Sequence, residues 1–523
     1  MVKISETSMQ KHIPAVIVIL ALIGVADAGF LTYEHYRNAI PPCITGSVFF
    51  TDCGTVLKSS YATIFGIPIS LIGFFHYSLL TAVSVIAYVS KNQRAKLMVV
   101  ILTGIGFLTS LYLVFLQLFI IQALCLFCML SALVSLLLFI LAQITYTKER
   151  KQLAIMFFSF FYRYFLKPRF FRIDPEMMHN AMTSFGQRLG TLGIAKALTA
   201  YALRYEDKAL EQTIAGIPFR NPIGLSAGFD YEARLTQILP ATGFGFQTVG
   251  TITNLSYEGN PRPMLGRLPK SQSLMVNKGF KNLGARQTAE DMEGLHFRIP
   301  VGVSIGRTNA KKPMSQKESV ADILKAFSVF EQSSVHHAYY ELNISCPNLY
   351  GNVTFYPPKN LSDLLKEVDN LRLSRPLFIK MPIEKSGEDV LSMLSVIAKH
   401  QTTGVIFGNL QKNRNHPALV PEEVKQFPVG NFSGKPTWEQ SNELIRLTYK
   451  YYKKRFVIIG CGGVFSTEDA YTKITLGASL VQLITGMIFQ GPQLIGAINI
   501  GLVDLLKKDG FTHIRDAIGS RNS

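Results

Sequence analysis

Four long apolar stretches, residues 13–33, 63–89, 97–121 and 123–146, constrain this chain more than any other feature. At 1.5 Å of rise per helical residue, each is long enough to cross a hydrocarbon core of about 30 Å. The first lacks a small-residue cleavage site before a soluble domain, and further apolar runs follow it, so it reads as a spanning helix rather than a cleaved signal. A purely cytosolic globular enzyme is thereby excluded. Residues 153–166 are apolar too, but the stretch is short and Arg163 interrupts it, which fits an interfacial helix better than a fifth crossing.

Charge gives the expected orientation. Lys3 and Lys11, then Lys91, Arg94 and Lys96, then Lys148, Arg150 and Lys151 lie on one side of the four crossings, whereas the loop at 43–60 carries only Lys58. Basic loops stay inside, so the chain is expected in the cytoplasmic (inner) membrane, with its C-terminal part in the cytoplasm and the 43–60 loop outside. The chain as a whole carries +18, from 53 Lys and Arg against 35 Asp and Glu. Beside so much membrane segment, that excess suits lipid headgroups or phosphorylated ligands better than nucleic acid.

The 523 residues allow about three domains at roughly 150 residues each. The divisions fall at 1–150 for the membrane part, 151–210 for a basic, aromatic, amphipathic collar, and 211–523 for the remainder. In that last part, eight short β-rich runs end in Gly, Asn or Ser and alternate with helical segments: 222–225, 245–250, 301–305, 340–344, 377–380, 404–407, 457–459 and 480–483. This pattern predicts a closed parallel (β/α)8 barrel, with its functional groups at the C-terminal ends of the strands. The predicted fold is therefore a transmembrane four-helix bundle followed by an α/β barrel with a helical, membrane-associating collar.

Four of the six cysteines, Cys43, Cys53, Cys125 and Cys128, fall in the membrane part. Cys125 and Cys128 form a C-x-x-C at the start of the last span, where one disulfide can form and break and a helix N-terminus favours thiolate. Two small hydrophobes in a helix would look the same. The second pair, on a loop assigned to the same membrane face, makes an exchange relay chemically sensible. A metal site is the rival reading, disfavoured by the ten-residue offset of Cys43 and Cys53 and the absence of nearby His. Asp27, midway along the first span, is expensive in lipid and is expected to face inward, in a helix-packing hydrogen bond or a proton relay.

The run from Asp52-Cys53-Gly through Ser59-Ser60 to Gly66-Ile-Pro68, followed two helices later by the C-x-x-C, resembles the vitamin K epoxide reductase family, specifically its bacterial disulfide-forming members. The likeness covers about residues 12–146. It implies a four-helix bundle around a quinone, Cys125 and Cys128 as the redox pair, Cys43 and Cys53 as the shuttle pair, and Ser59 at a quinone-contacting position. It also implies a separate thioredoxin-like thiol protein as partner on the outer face.

In the C-terminal part, Gly460-Cys-Gly-Gly463 and Thr485-Gly486 follow the last two predicted strands and offer backbone N–H groups to a phosphate. Lys380 ends a strand, where a cation can neutralise a reduced flavin; a solvated lysine is the plain alternative. Asn343-Ile-Ser-Cys346-Pro-Asn348 flanks a thiol with two amides, suited to an imide ring and to proton removal by a general base. Together with 221–230, Val249-Gly-Thr251, Gly259-Asn-Pro-Arg-Pro and 477–482, these residues resemble dihydroorotate dehydrogenase. The segment from Phe171 to His179 resembles the collar of its membrane-bound, quinone-using class.

That resemblance implies FMN held by Ala227, Thr251, Asn343, Lys380, Gly408, Gly434, Gly463 and Thr485. It implies dihydroorotate held by Asn277, Asn343, Asn348 and Asn409, Cys346 as the base, and quinone near His179. There are departures. Cys346 is the base of the soluble class rather than Ser, Tyr231 replaces a Lys, and Ser304 and Leu410 replace an Asn and a hydroxyl residue. The loop at 277–280 is one residue short, and Lys278 or Lys281 is a candidate for the missing charge. The expected function is a fusion of two quinone-linked oxidoreductases, one acting on dihydroorotate and one on protein dithiols. The alternatives are a barrel with another substrate, or a flavin-binding module on a membrane anchor.

Overall fold

The computed structural model describes residues 9–41, 53–312, 314–351 and 353–522. The chain divides into two compact units, Met1–Leu153 and Ala154–Ser523.

Among the described residues, the first unit holds four helices of membrane-crossing length and hydropathy: α1 (Met9–Tyr36), α2 (Ile69–Ser90), α3 (Gln93–Phe115) and α4 (Leu126–Thr145). Their outward residues Ile19, Phe75, Leu108 and Leu133 are each more than half exposed, a surface that water does not tolerate and lipid does. Inward, Ile17, Leu80, Val99 and Leu138 share one buried core. Close approach comes from a small residue: a Cβ on Gly24 would lie 2.5 Å from the Tyr77 ring. The Tyr77 hydroxyl is shared with Ser135 at 2.8 Å.

Helix ends follow local chemistry. Left-handed Lys91 stops α2, and the Asn92 side chain accepts from the Arg94 and Ala95 amides to start α3. The predicted second span began at residue 63, whereas the helix starts at Ile69. Residues Thr63–Ile64 and Ile67–Pro68 instead pair as a small hairpin, turned by Phe65 and Gly66 at positive φ. The third span continues through a wider π turn, Leu116–Ile121, closed by left-handed Gln122. Cys125 caps α4 from outside it. The interfacial stretch is part of a helix, α5 (Thr147–Phe161), followed by a π turn, Tyr162–Leu166.

In the second unit, α6 (Pro175–Thr191) starts where Asp174 accepts from two backbone amides and Pro175 takes the first helical position. After it comes α7 (Gly193–Leu203). Eight parallel strands follow: β1 (Ile223–Leu225), β2 (Phe246–Ile252), β3 (Val301–Ile305), β4 (Tyr339–Asn343), β5 (Leu377–Met381), β6 (Gly404–Phe407), β7 (Val457–Cys461) and β8 (Leu480–Leu483). Each pairs with its chain neighbours, and β8 closes on β1 through Val481 opposite Ile223.

Large and small side chains alternate inside the barrel. Phe246, Tyr339, Phe378 and Ile406 pack together with Phe219, which lies beneath them on an antiparallel hairpin. Gly224 and Gly302 face the Phe246 and Tyr339 rings, where a Cβ would come within 2.4 Å and 2.1 Å. Truncating Phe246 to Ala would cost about 3–5 kcal/mol. With one end of the barrel plugged in this way, the strands present their chemistry at the opposite, C-terminal end.

Candidate functional site

The C-terminal ends of the strands enclose one cavity, and the residues singled out from the sequence converge on it. Ala227 follows β1, Thr251 lies in β2, Asn343 ends β4 and Lys380 lies in β5. Gly408 and Asn409 follow β6, Gly463 follows β7 and Thr485 follows β8, and all of them line the cavity. Gly434, Cys346, Asn348 and His179 line it as well.

Asn277 is the exception. Its side chain accepts from Asn260 at 3.1 Å and reaches Pro261, while its neighbour Lys278 lines the cavity. At this loop it is the Lys278 side chain, not that of Asn277, that lines the cavity.

A continuous polar network runs beneath the cavity. The Asn343 amide donates to the Thr251 hydroxyl at 2.9 Å, and that hydroxyl shares a hydrogen bond with Ser304 at 3.0 Å. Ser304 in turn donates to Glu341 at 2.8 Å. The same Glu341 oxygen lies 3.4 Å from the Lys380 ammonium, which also donates to Ser226 at 3.2 Å. Glu341 and Lys380 are both buried, so the pair carries no net charge into the cavity. Sequence reasoning passed over Glu341. The signal was its place two residues before Asn343, on the same face of one strand.

Toward the other loops, Asn409 donates to the Ser345 carbonyl at 2.8 Å. Asn348 donates to the Val276 carbonyl at 3.0 Å and accepts from Asn431 at 2.7 Å, which fixes the segment carrying Cys346 between them. Burial pushes the Cys346 thiol up to about 11, against the opposing pull of the Asn348 amide and the Lys380, Arg307 and Lys412 charges. His179, edge-on to Phe229, is pushed down to about 3 by burial and then by Lys278, Lys281 and Arg234, so its ring is neutral near pH 7. Asp230 anchors the loop after β1, accepting from the Arg234 and Leu235 amides and from Gln247.

These residues fit a phosphate-bearing flavin. Gly462 and Gly463 at φ +99° and +73°, and Gly434 at +80°, line the cavity with bare backbone in a conformation that favours glycine, and a Cβ there would collide with Thr437, Trp438 and the Gln272 carbonyl. The Thr485 hydroxyl lies 2.8 Å from Ser433 beside them. Amide donors and a paired cation stand at β4 to β6, as a heteroaromatic ring with imide groups requires.

The membrane unit has its own cavity, of about 720 Å³, lined by Ser59, Asp27, His76, Gln117, Cys128 and Ser135 among others. Ser59 donates to the Val56 carbonyl at 2.8 Å. Cys125 is buried, and its amide donates to the Gln117 side chain at 3.1 Å. Cys125 and Cys128 are free thiols. Cys53 is disulfide-bonded and buried in one apolar cluster with Val56, Ala123 and Cys125, against which Cys128 packs. Cys43 lies outside the described residues. Asp27 departs from the expected packing hydrogen bond: both its carboxyl oxygens are buried with no partner among the described residues.

Comparison with known proteins agrees with both halves. Residues 209–506 match the dihydroorotate dehydrogenase family model, and residues 15–143 match that of the vitamin K epoxide reductase family. A dihydroorotate dehydrogenase (quinone) from Trichormus variabilis is 32% identical over 376 residues, covering 68% of this chain and 98% of the relative. One from Rippkaea orientalis is 34% identical over 320 residues, covering 60% and 84%. The solved structure of the Eimeria tenella enzyme in complex with ferulenol aligns with a TM-score of 0.59 at 26% identity, covering 66% of this chain and 95% of that one. The chain therefore belongs to the dihydroorotate dehydrogenase family, its barrel preceded in sequence by a membrane domain of the vitamin K epoxide reductase family.

Proposed function

We propose that the barrel oxidises dihydroorotate to orotate with quinone as final acceptor, and that the membrane domain oxidises protein dithiols and passes their electrons to quinone. The observation that carries the first half is the convergence of Cys346, Asn343, Asn348 and Asn409 on the cavity whose glycine loops fit FMN. FMN, when bound, supplies a two-electron acceptor for the hydride leaving the substrate ring. The amides of Asn343, Asn348 and Asn409 orient the imide and carboxylate groups. The Cys346 thiolate removes the proton from the neighbouring ring carbon. Lys380, held by Glu341, supports negative charge at the ring of the cofactor. His179, neutral and next to Phe229, belongs to the path by which quinone approaches from the collar.

In the membrane domain, Cys53 with Cys43 takes electrons from a separate thioredoxin-like protein and passes them to Cys125 and Cys128. Closing the Cys125–Cys128 disulfide releases two electrons and two protons, which reduce one quinone to its hydroquinone. Asp27 carries one of those protons; its burial in the same cavity as Cys128, with no hydrogen-bond partner among the described residues, supports this role. The basic-residue pattern supports a cytoplasmic barrel and outward-facing cysteines.

Growth tests the enzymatic reading. Expression of the full chain in a pyrimidine auxotroph lacking dihydroorotate dehydrogenase should restore growth without uracil, and Cys346→Ala should not. Failure of the wild-type chain, with the protein present and flavin-loaded, would refute it.

A further inference from the structure

Two lysines line the barrel cavity, Lys380 and Lys278, and Lys281 follows in the same loop. Lys380 pairs with Glu341 at 3.4 Å, and Lys281 pairs with Glu176 at 3.2 Å. Lys278 has no such partner. It lines the cavity at 4% exposure, and no hydrogen bond or ion pair holds its ammonium among the described residues. Its contact is with Tyr231, whose ring centroid lies 4.8 Å from Nζ. That ring is fixed in turn: its hydroxyl donates to the Gly228 carbonyl at 2.7 Å, and His179 packs 5.9 Å away.

The carboxylates that act on it, Glu176 and Glu232, are already paired with Lys281 at 3.2 Å and Arg234, and a buried ammonium facing a cavity with no carboxylate at ion-pair distance calls for an anionic ligand. The amides and thiol that share the cavity, Asn343, Asn348, Asn409 and Cys346, offer no formal charge near neutral pH. We infer that Lys278 binds the carboxylate of the substrate, and that Tyr231 is the platform that positions it. This assignment rests on the reading of dihydroorotate as substrate. It makes selectivity for an anionic ring a property of the Lys278–Tyr231 pair, with Lys281 committed to Glu176 and taking no part.

Orotate and its uncharged carboxamide distinguish recognition of charge from recognition of the ring. Each is titrated into the flavin-loaded full chain in detergent, following the flavin absorbance. Lys278→Met should weaken orotate binding by about 10–100-fold, as loss of a charged hydrogen bond does, and leave carboxamide binding within about 3-fold. Lys278→Arg should keep the preference for the carboxylate. Tyr231→Leu should weaken orotate alone. Because the Tyr231 ring touches the ammonium, the double variant Lys278→Met with Tyr231→Lys should recover the carboxylate preference. Flavin content of each sample reports folding. Equal weakening of both ligands by Lys278→Met, or no weakening of either, would overturn the assignment alone. Wild-type protein that binds neither ligand would overturn the dihydroorotate reading and the assignment with it.

Discussion

The Glu341 carboxylate lies 3.4 Å from the Lys380 ammonium on the adjacent strand, with both side chains buried at the floor of the cavity. Removing one partner of a buried pair strands the other, at a cost of about 3–5 kcal/mol. Lys380→Met should therefore lower the thermal midpoint of the flavin-loaded chain and speed flavin release. Glu341→Gln keeps hydrogen-bonding capacity toward Ser304 and Lys380 and should retain flavin. It should also raise the flavin reduction potential, because Lys380 then acts as an uncompensated cation. Potentiometric titration of the two proteins checks this.

The pH dependence of flavin reduction separates substrate binding from proton removal. Burial pushes Lys278 down to about 8, with Glu176 and Glu232 opposing and Lys281 assisting, and pushes Cys346 up to about 11. Binding needs the lysine protonated, and proton removal needs the thiol deprotonated. At low substrate the reduction rate should rise with pH to about 8, then level off until about 11. At saturating substrate the carboxylate holds Lys278 charged, so the rise should continue toward 11. Cys346→Ser should move that rise higher, and Cys346→Ala should nearly abolish reduction with FMN still bound. Stopped-flow flavin absorbance across pH measures all of these.

Much of this architecture was legible in the sequence, and the rest was not for identifiable reasons. The eight strands stood out because buried parallel strands are short apolar runs ended by Gly, Asn or Ser, and the four spans because lipid demands length and hydropathy together. Residues whose roles depend on tertiary register were not legible. Glu341 reads as an ordinary strand residue until Ser304 is found opposite it in the parallel register. Asn277 and Lys278 differ by one position, and only the folded loop decides which faces the cavity. Asp27 was expected to face inward in a packing hydrogen bond or a proton relay, and among the described residues its oxygens have no hydrogen-bond partner.

The relay in the membrane domain predicts a split between substrates. Cys53 is disulfide-bonded and packs in one cluster with Cys125. Cys53→Ala should stop oxidation of a thioredoxin-like protein substrate and leave oxidation of a small dithiol through Cys125 and Cys128 intact. Quinone reduction followed with each reductant makes the comparison. Equal rates on the protein substrate for variant and wild type would leave the loop cysteines without a role.

Asp27 should matter to the same reaction in a different way. Asp27→Asn preserves shape and removes the titrating group, so dithiol-dependent quinone reduction should fall and lose part of its pH dependence, with the four helices still folded. An unchanged pH profile would remove Asp27 from proton transfer.

The central claim is that this chain oxidises dihydroorotate and delivers the electrons to quinone, and one measurement tests it most directly. Purified full chain, loaded with FMN and free of oxygen, is mixed with dihydroorotate and then with a soluble quinone, and the flavin absorbance is recorded. The account predicts bleaching on the first addition and recovery on the second, with one orotate formed per flavin. A flavin that stays oxidised with dihydroorotate at every pH up to about 11 would contradict it.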